Sequence, residues 1–267
     1  DVNQIVDRAQ RWADAGKRAV EDGRRIPSPP QVPKLNHGNP TGLYNGMIAP
    51  VVPYSVKGAI WYQGESNVGE GMAYHDKMKA LIAGWRDVFK NDDLSFYYVQ
   101  IAPYRYNKGE ALPDIWEAQT ATLKVPGTGM AVITDVGNIQ DIHPRNKQAV
   151  GKRLALWALA KDYEKKEVIF SGPLYKSMKL EGNKIRVEFT STGSGLISRD
   201  GKDLSDFMIS GPDNNFVEAN AVIDGDAVLV SADSISDPKN VRFGWNELVN
   251  PNLSNKEGLP ASPFKTD

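Results

Sequence analysis

The stretch GAIWYQGESN, Gly58 to Asn67, joins an apolar run to a cluster of Gln, Glu, Ser and Asn. A short apolar run bounded by polar residues predicts a buried strand, KGAIWYQ, that ends near Gln63. The polar residues then lie in the loop that follows this strand. Ser66 is accordingly either a nucleophile itself or part of a loop that serves a nucleophile elsewhere.

Strands and helices alternate downstream of this stretch. The runs LSFYYVQIA and GMAVITDV predict two further strands, and helices are expected over residues 71–90, 114–124 and 143–163. Pro144 suits the first turn of the last helix, where a missing N–H costs nothing. Alternation of this kind predicts an α/β fold, with a parallel sheet covered by helices on both faces.

Two different patterns flank this α/β region. Residues 1–25 predict a charged amphipathic helix that starts abruptly, and we expect the chain to be the remainder of a longer one. Five prolines between Pro27 and Pro40 then predict a long irregular connection. Past about Glu164, short alternating runs broken by Gly, Asn and Asp predict the antiparallel strands of a β-sandwich, with a boundary between 164 and 172.

Composition excludes several classes of function. Lys and Arg number 32 against 33 Asp and Glu, so the net charge of −1 disfavours nucleic acid or an anionic membrane surface as a partner. The chain has no cysteine, which excludes disulfides, thiolate metal sites and thiol catalysis within it. No run reaches the roughly 20 apolar residues that a membrane-spanning helix needs.

Two polar loops follow strands of the predicted sheet, where open α/β sheets bind ligands. The first is QGESN, and the second is DVGNIQDIHPRNK, which begins near Asp135. His143 is the strongest candidate residue, because a histidine beside an acid in such a loop can act as a general base that Asp141 orients. The alternative is that His143 merely caps the last helix and that Asp141 is a turn residue.

Other candidates are weaker. A nucleophile elbow needs Gly two residues before and two residues after its serine; Gly64 meets the first requirement, but Val68 stands where the second Gly is needed. His37 and His75 are interpreted as structural or solvated, and no ligand spacing supports a zinc site. Tyr104 and Tyr106 lie in a loop where their rings could line a sugar pocket.

Three segments, in this order, resemble the sialate O-acetylesterase family of SGNH-type carbohydrate esterases: LYNGMIAPVVPYSVKGAIWYQGESN, GMAVITDVGNIQDIHPRNKQAVGKRLALWALA and NKEGLPASPFKTD. The likeness covers most of the chain from about Pro40 to its end. It implies a flavodoxin-like three-layer α/β/α domain with accessory β domains. Residues 1–165 would be the C-terminal part of the esterase domain, and residues 166–267 a β-sandwich accessory domain.

The resemblance also implies roles for particular residues. The family's catalytic histidine lies in a DIHPxNK block, which places it at His143, with Asp141 as the nearest candidate acid. The wider SGNH pattern is Asp-x-x-His, whereas Asp141 stands only two residues before His143. Asp135 therefore stays open as the alternative acid.

The loop QGESN occupies the position of the superfamily's Gly-x-Asn-Asp oxyanion block. Gly64 matches its Gly, and Ser66 stands where its Asn would be. Gln63, Glu65 and Asn67 complete the set of candidate oxyanion and substrate-binding residues, with individual roles left open. No metal and no cofactor are expected.

The family's nucleophile lies in a GQSNM-like block well upstream of WYQGESN, and this chain has no such block. The expected partners are therefore an O-acetylated sugar and an N-terminal segment of the same precursor that carries the catalytic serine. The expected function is a carbohydrate O-acetylesterase, a sialate O-acetylesterase in particular, with a serine/histidine mechanism, in the bacterial periplasm or secreted. The alternatives are a non-catalytic glycan-binding module, an acetylesterase acting on xylan or another plant polysaccharide, and a self-sufficient hydrolase with Ser66 as nucleophile.

Overall fold

The computed structural model describes residues 2–30, 41–52 and 54–267. These residues divide into two compact units at Ser55/Val56. In the first unit, α1 (Val2–Glu21) forms the predicted N-terminal helix. Residues 26–30 have no regular secondary structure, as expected of a proline-rich segment, and the rest of that predicted connection lies outside the described residues.

The second unit begins with a parallel sheet. Its strands are β1 (Gly58–Trp61), β2 (Ser95–Gln100) and β3 (Thr128–Val132), in the order β1-β2-β3. Every residue of β2 is buried, because this central strand has a neighbour on each side and helices over both faces. The continuous aromatic and aliphatic run FYYV matches that environment.

Three helices cover this sheet: α2 (Ala73–Phe89), α3 (Ala111–Thr122) and α4 (Lys147–Lys161). Phe96 and Tyr98 of β2 pack in one apolar cluster with residues of α2 and α3. Tyr97 and Val99 point to the opposite face and pack with residues of α4. The predicted three-layer α/β/α arrangement is therefore confirmed.

Two local predictions are wrong. β1 is not a buried strand: Ile60 is 71% exposed, because β1 pairs only with β2 among the described residues. Pro144 does not lie in the first turn of α4, which begins at Lys147. The side chain of Asn146 accepts a hydrogen bond from the Ala149 N–H at 3.1 Å, so an asparagine cap sets the start of this helix.

Past α4 the chain is entirely antiparallel β structure. The strands are β4 (Leu174–Glu181), β5 (Lys184–Thr190), β6 (Leu196–Ser198), β7 (Phe207–Ser210), β8 (Phe216–Glu218), β9 (Asn220–Asp224), β10 (Ala227–Ser231), β11 (Asn240–Phe243), β12 (Leu253–Asn255) and β13 (Phe264–Lys265). They form two four-stranded sheets, ordered β4-β5-β10-β9 and β13-β11-β7-β8, which share one apolar core, and a small pair β12-β6.

The predicted boundary between residues 165 and 166 falls between α4 and β4, and it stays a prediction as a domain boundary. Direct hydrogen bonds link the α/β and β regions across it. Gln100 of β2 donates to the Ser262 hydroxyl at 2.9 Å in a fully buried contact. Among the helices described in residues 2–30, 41–52 and 54–267, none combines the length and the apolar character that crossing a membrane requires.

Candidate active site

A cleft of about 510 Å³ opens beyond the carboxyl ends of β1 and β3, a volume that suits a small ligand. One wall follows β1 and the other belongs to the loop that leads into α4. The lining residues are Tyr62, Glu65, Ser66, Ile142, His143 and Lys147. The two polar loops predicted from the sequence therefore meet at one place.

Gly64 lets the chain turn from β1 into the cleft wall. Its φ of +152° is a conformation that favours glycine. A Cβ at this position would stand 3.1 Å from the Ile101 Cγ2 and 3.3 Å from the Tyr74 hydroxyl. The single helical turn Glu65–Asn67 follows at once and presents Glu65 and Ser66 to the cleft.

Gln63 and Asn67 do not line the cleft; they hold the shape of the loop behind it. The Gln63 amide donates to the Asn67 Oδ1 at 2.7 Å, and the Asn67 amide donates to Glu70 at 2.9 Å. The ammonium of Lys77, with help from Asn67, lowers the pKa of Glu70. The Tyr74 hydroxyl donates to the Gln63 carbonyl at 2.8 Å, which ties this loop to α2.

His143 lies on the opposite wall with its side chain 86% exposed. The carboxylate of Asp141 accepts a hydrogen bond from the His143 backbone N–H at 3.0 Å. The same carboxylate oxygen lies 3.8 Å from the His143 Nδ1, which is an ion-pair separation and too long for a hydrogen bond. Asp141 thus fixes the backbone of His143 and places a negative charge beside its ring.

Asp135, the alternative acid, is occupied elsewhere. Arg153 of α4 donates to both of its carboxylate oxygens, at 2.6 and 2.7 Å, and to the Val132 carbonyl at 2.8 Å. The two side chains are only 9% and 10% exposed. This pair fastens the end of β3 to α4, beneath the loop that carries His143.

Tyr62 and Lys147 line the cleft, although the sequence patterns did not single them out. The ammonium of Lys147 lies 4.6 Å from the centre of the Tyr62 ring, over its face. Burial raises the pKa of Tyr62 to about 12, and the charge of Glu65 contributes. The sequence shows that Lys147 follows His143 by four residues. That Lys147 belongs to the cleft became evident only from its contact with Tyr62 in the fold.

The cleft therefore combines four kinds of group. His143 can accept a proton, and the Ser66 hydroxyl can donate a hydrogen bond. The Glu65 carboxylate, when ionised, only accepts hydrogen bonds, so it suits sugar hydroxyls and not an oxyanion. Lys147 supplies the positive charge on the same wall as His143.

Three of the remaining candidates, His75, Tyr104 and Tyr106, do not line the cleft. The His75 Nδ1 is 3.0 Å from the Thr122 hydroxyl, a contact between α2 and α3, while His37 lies outside the described residues. Tyr104 and Tyr106 pack edge to face with ring centres 5.0 Å apart. Within the described ranges, no group of three or more His, Cys, Asp or Glu side chains is arranged to hold a metal ion.

The fold and this cleft define an SGNH-like α/β/α protein. Residues 33–160 match the family model described as "Carbohydrate esterase, sialic acid-specific acetylesterase". A crystal structure of a carbohydrate acetylesterase from Xanthomonas citri superimposes with a TM-score of 0.80 and 42% sequence identity, covering 84% of this chain and 54% of that one.

Curated relatives agree with this assignment. The rat sialate O-acetylesterase is 31% identical over 83% of this chain and 45% of its own length. The human sialate O-acetylesterase is 32% identical over 66% of this chain and 39% of its own. Residues 33–160 of the chain thus match the sialic acid-specific acetylesterase family of carbohydrate esterases, and the resemblance seen in the sequence is confirmed. The chain spans less than half the length of these two relatives.

Proposed function

We propose that this chain contributes the histidine side of a carbohydrate O-acetylesterase site, which hydrolyses acetyl esters on sugars, sialic acids among them. The observation on which this rests is the cleft itself, where His143 and Lys147 face Glu65 and Ser66. The family match and the names of the relatives support the choice of an acetylated sugar as substrate.

In the proposed reaction, His143 removes the proton of a serine hydroxyl while the serine oxygen attacks the acetyl carbonyl carbon. Hydrogen-bond donors of the QGESN loop hold the oxyanion that forms, Ser66 among them. The carbon–oxygen bond to the sugar then breaks, and the sugar oxygen leaves with the proton from His143. Water, deprotonated by His143, attacks the acetyl-serine and releases acetate and the free serine.

We place the attacking serine outside residues 1–267, on an N-terminal segment of the same precursor, and the protein in the periplasm or secreted. Ser66 is the rival nucleophile, because it lies in the cleft with His143. However, no hydrogen bond joins its hydroxyl to the His143 ring within the part of the chain that the structure describes. The nucleophile-elbow pattern around Ser66 also lacks its second Gly, because Val68 stands at that position.

The role of His143 is tested by acetate release from an O-acetylated sialic acid. We expect His143→Ala to lower kcat by about 1,000-fold or more in the full-length gene product, as loss of a catalytic base does in serine hydrolases. His75→Gln is the matched control, because His75 contacts Thr122 outside the cleft. Equal rates for wild type and His143→Ala would overturn the assignment.

The position of the nucleophile is tested separately with a serine-directed fluorophosphonate and peptide mass spectrometry. Labelling of a serine outside residues 1–267 in the full-length gene product, unaffected by Ser66→Ala, is the expected result. Labelling at Ser66 would transfer the nucleophile to the cleft described here. Binding of acetylated sugar with neither labelling nor acetate release would instead identify a glycan-binding module.

A further inference from the structure

Residues 103–109, which we call the brace loop, lie between the two loops that form the cleft. The Arg105 N–H donates to the Ile139 carbonyl at 3.2 Å, on the loop that leads to His143. At its other end, the Lys108 ammonium donates to the Val68 carbonyl at 3.1 Å, directly after the QGESN loop. The brace loop is therefore bonded to both walls.

Close packing reinforces the first of these connections. Gly137, on the way from Asp135 to His143, lies so near the brace loop that an added Cβ would stand 3.0 Å from the Pro103 ring. This distance is tighter than ordinary van der Waals contact. A displacement of the brace loop would thus also displace the chain that carries His143.

The brace loop has no regular secondary structure, and three of its backbone N–H groups donate to one carboxylate. Asn107 and Gly109 have φ values of +56° and +61°, and the N–H groups of residues 106–108 point to one side of the loop. Backbone of this kind forms a concave site for negative charge. The carboxylate of Glu247 occupies it, accepting from the N–H groups of Tyr106, Asn107 and Lys108 at 3.2, 2.9 and 3.5 Å.

Glu247 reaches this site from the β region, in the segment that follows β11. It is 7% exposed, and nearby Val249 packs in the apolar cluster that includes Tyr62 and Tyr106. Among the described residues, no Lys, Arg or His forms a salt bridge with Glu247. Backbone N–H groups of the brace loop therefore compensate its charge, and the loop and the carboxylate each hold the other in place.

We propose that Glu247 is a positioning residue for the site: through the brace loop it sets the separation of the His143 loop and the QGESN loop. This proposal rests on the function proposed above. It gives the β region a part in the reaction, because its buried carboxylate orders the walls of the cleft without touching the cleft itself.

The test compares Glu247→Gln with Glu257→Gln in the full-length gene product. Glu257 is a suitable control because its carboxylate also accepts from a backbone N–H, that of Ser194 at 3.1 Å, but wholly within the β region. Amide hydrogen exchange reports on the loops, and steady-state kinetics with an O-acetylated sialic acid report on the site. Kinetics are measured well below the unfolding temperature of each variant.

For Glu247→Gln we expect faster exchange at residues 106–108 and also at residues 138–143. We expect kcat/KM to fall about tenfold, mainly through kcat, because the Gln side chain lacks the charge and one acceptor oxygen of the carboxylate, and the loosened brace loop then holds the His143 loop less firmly. Glu257→Gln should change exchange only near residue 194 and leave both kinetic constants unchanged.

Exchange at 138–143 that stays at the wild-type rate, or kcat/KM that stays unchanged while the brace loop loosens, would overturn the proposal. If Glu247→Gln does not fold, Lys108→Met replaces it. This variant removes the hydrogen bond from the exposed Lys108 ammonium to the Val68 carbonyl, and faster amide exchange at residues 65–68 is then the required result. A wild-type protein that releases no acetate refutes the proposed function instead, and the exchange data alone then decide whether Glu247 orders the two loops.

Discussion

The ion pair between Arg153 and Asp135 offers the sharpest test of how the site is supported. Arg153→Met removes two charge-assisted hydrogen bonds to Asp135 and one to the Val132 carbonyl, from side chains that are 10% and 9% exposed. It also leaves the Asp135 carboxylate buried without a partner. Removal of one member of a buried pair costs about 3–5 kcal/mol, so we expect a loss of that size in the free energy of unfolding.

The double variant Asp135→Leu with Arg153→Met distinguishes two effects. One is the contribution of the ion pair to stability, and the other is the cost of leaving a single charge buried without a partner. Because both charges are then absent, we expect most of the lost stability to return. The Val132 carbonyl still lacks its donor, which leaves a remaining loss of about 1–3 kcal/mol. Together with the single variant Asp135→Leu, these two variants complete a double-mutant cycle that measures the coupling between the two side chains.

Urea unfolding, followed by tryptophan fluorescence, gives the free energies for this cycle. Lys90→Met is the control: it breaks the Lys90–Asp87 pair, whose side chains are 79% and 78% exposed, and no measurable change is expected. A loss below about 1 kcal/mol for Arg153→Met would refute the argument from burial. A stable double variant that has lost acetate release would instead return Asp135 to the list of groups that act on His143.

Three further outcomes follow from local geometry. Gly64→Ala should lower the free energy of unfolding in urea by about 1–3 kcal/mol, because φ is +152° at this position. Gly84→Ala is the control, because a Cβ at this position in α2 meets no other atom within 4 Å, and it should raise the free energy of unfolding by about 0.5–1 kcal/mol. Asn146→Ala should lower stability by about 1 kcal/mol through loss of the α4 cap, and Asn146→Ser should restore it. Burial raises the pKa of Tyr62 and Tyr97 from 10.0 to about 12. Between these two pH values the folded state keeps protons that the unfolded state releases. The free energy of unfolding should therefore be constant just below pH 10 and fall between pH 10 and 12. Tyr62→Phe should make that fall smaller, since Tyr97 still contributes, and an unchanged pH profile would contradict the contribution assigned to Tyr62.

Much of the α/β region follows from periodicity in the sequence. The run from Phe96 to Val99 is aromatic or aliphatic on both faces, and only a central strand between two helical layers buries both. Strand and helix alternation predicts the parallel order of β1, β2 and β3, because each crossover needs a helix. The approach of His143 to the QGESN loop was also predictable, since loops at the carboxyl ends of parallel strands share one edge of the sheet.

Edge and end effects were not predictable in the same way. Ile60 has the composition of a buried strand residue, but its exposure depends on whether a neighbouring strand lies beside β1. Pro144 satisfies a helix rule, yet the side chain of Asn146 competes for the same terminus and sets the start of α4. Local propensity does not rank two such signals that lie two residues apart.

Sequence patterns predicted the fold class and the two loops that meet at the cleft, and they singled out His143 as a candidate residue in one of those loops. The completed fold was needed to show that Asp135 is engaged by Arg153, that Lys147 lies over Tyr62, and that Glu247 reaches the brace loop from about 140 residues away. The difference lies in the distance along the chain between the residues that interact. Hydrophobic periodicity can be recognised from residues that are close together in the sequence. The pairing of a buried charge instead depends on which groups, distant in the sequence, the completed fold places beside it.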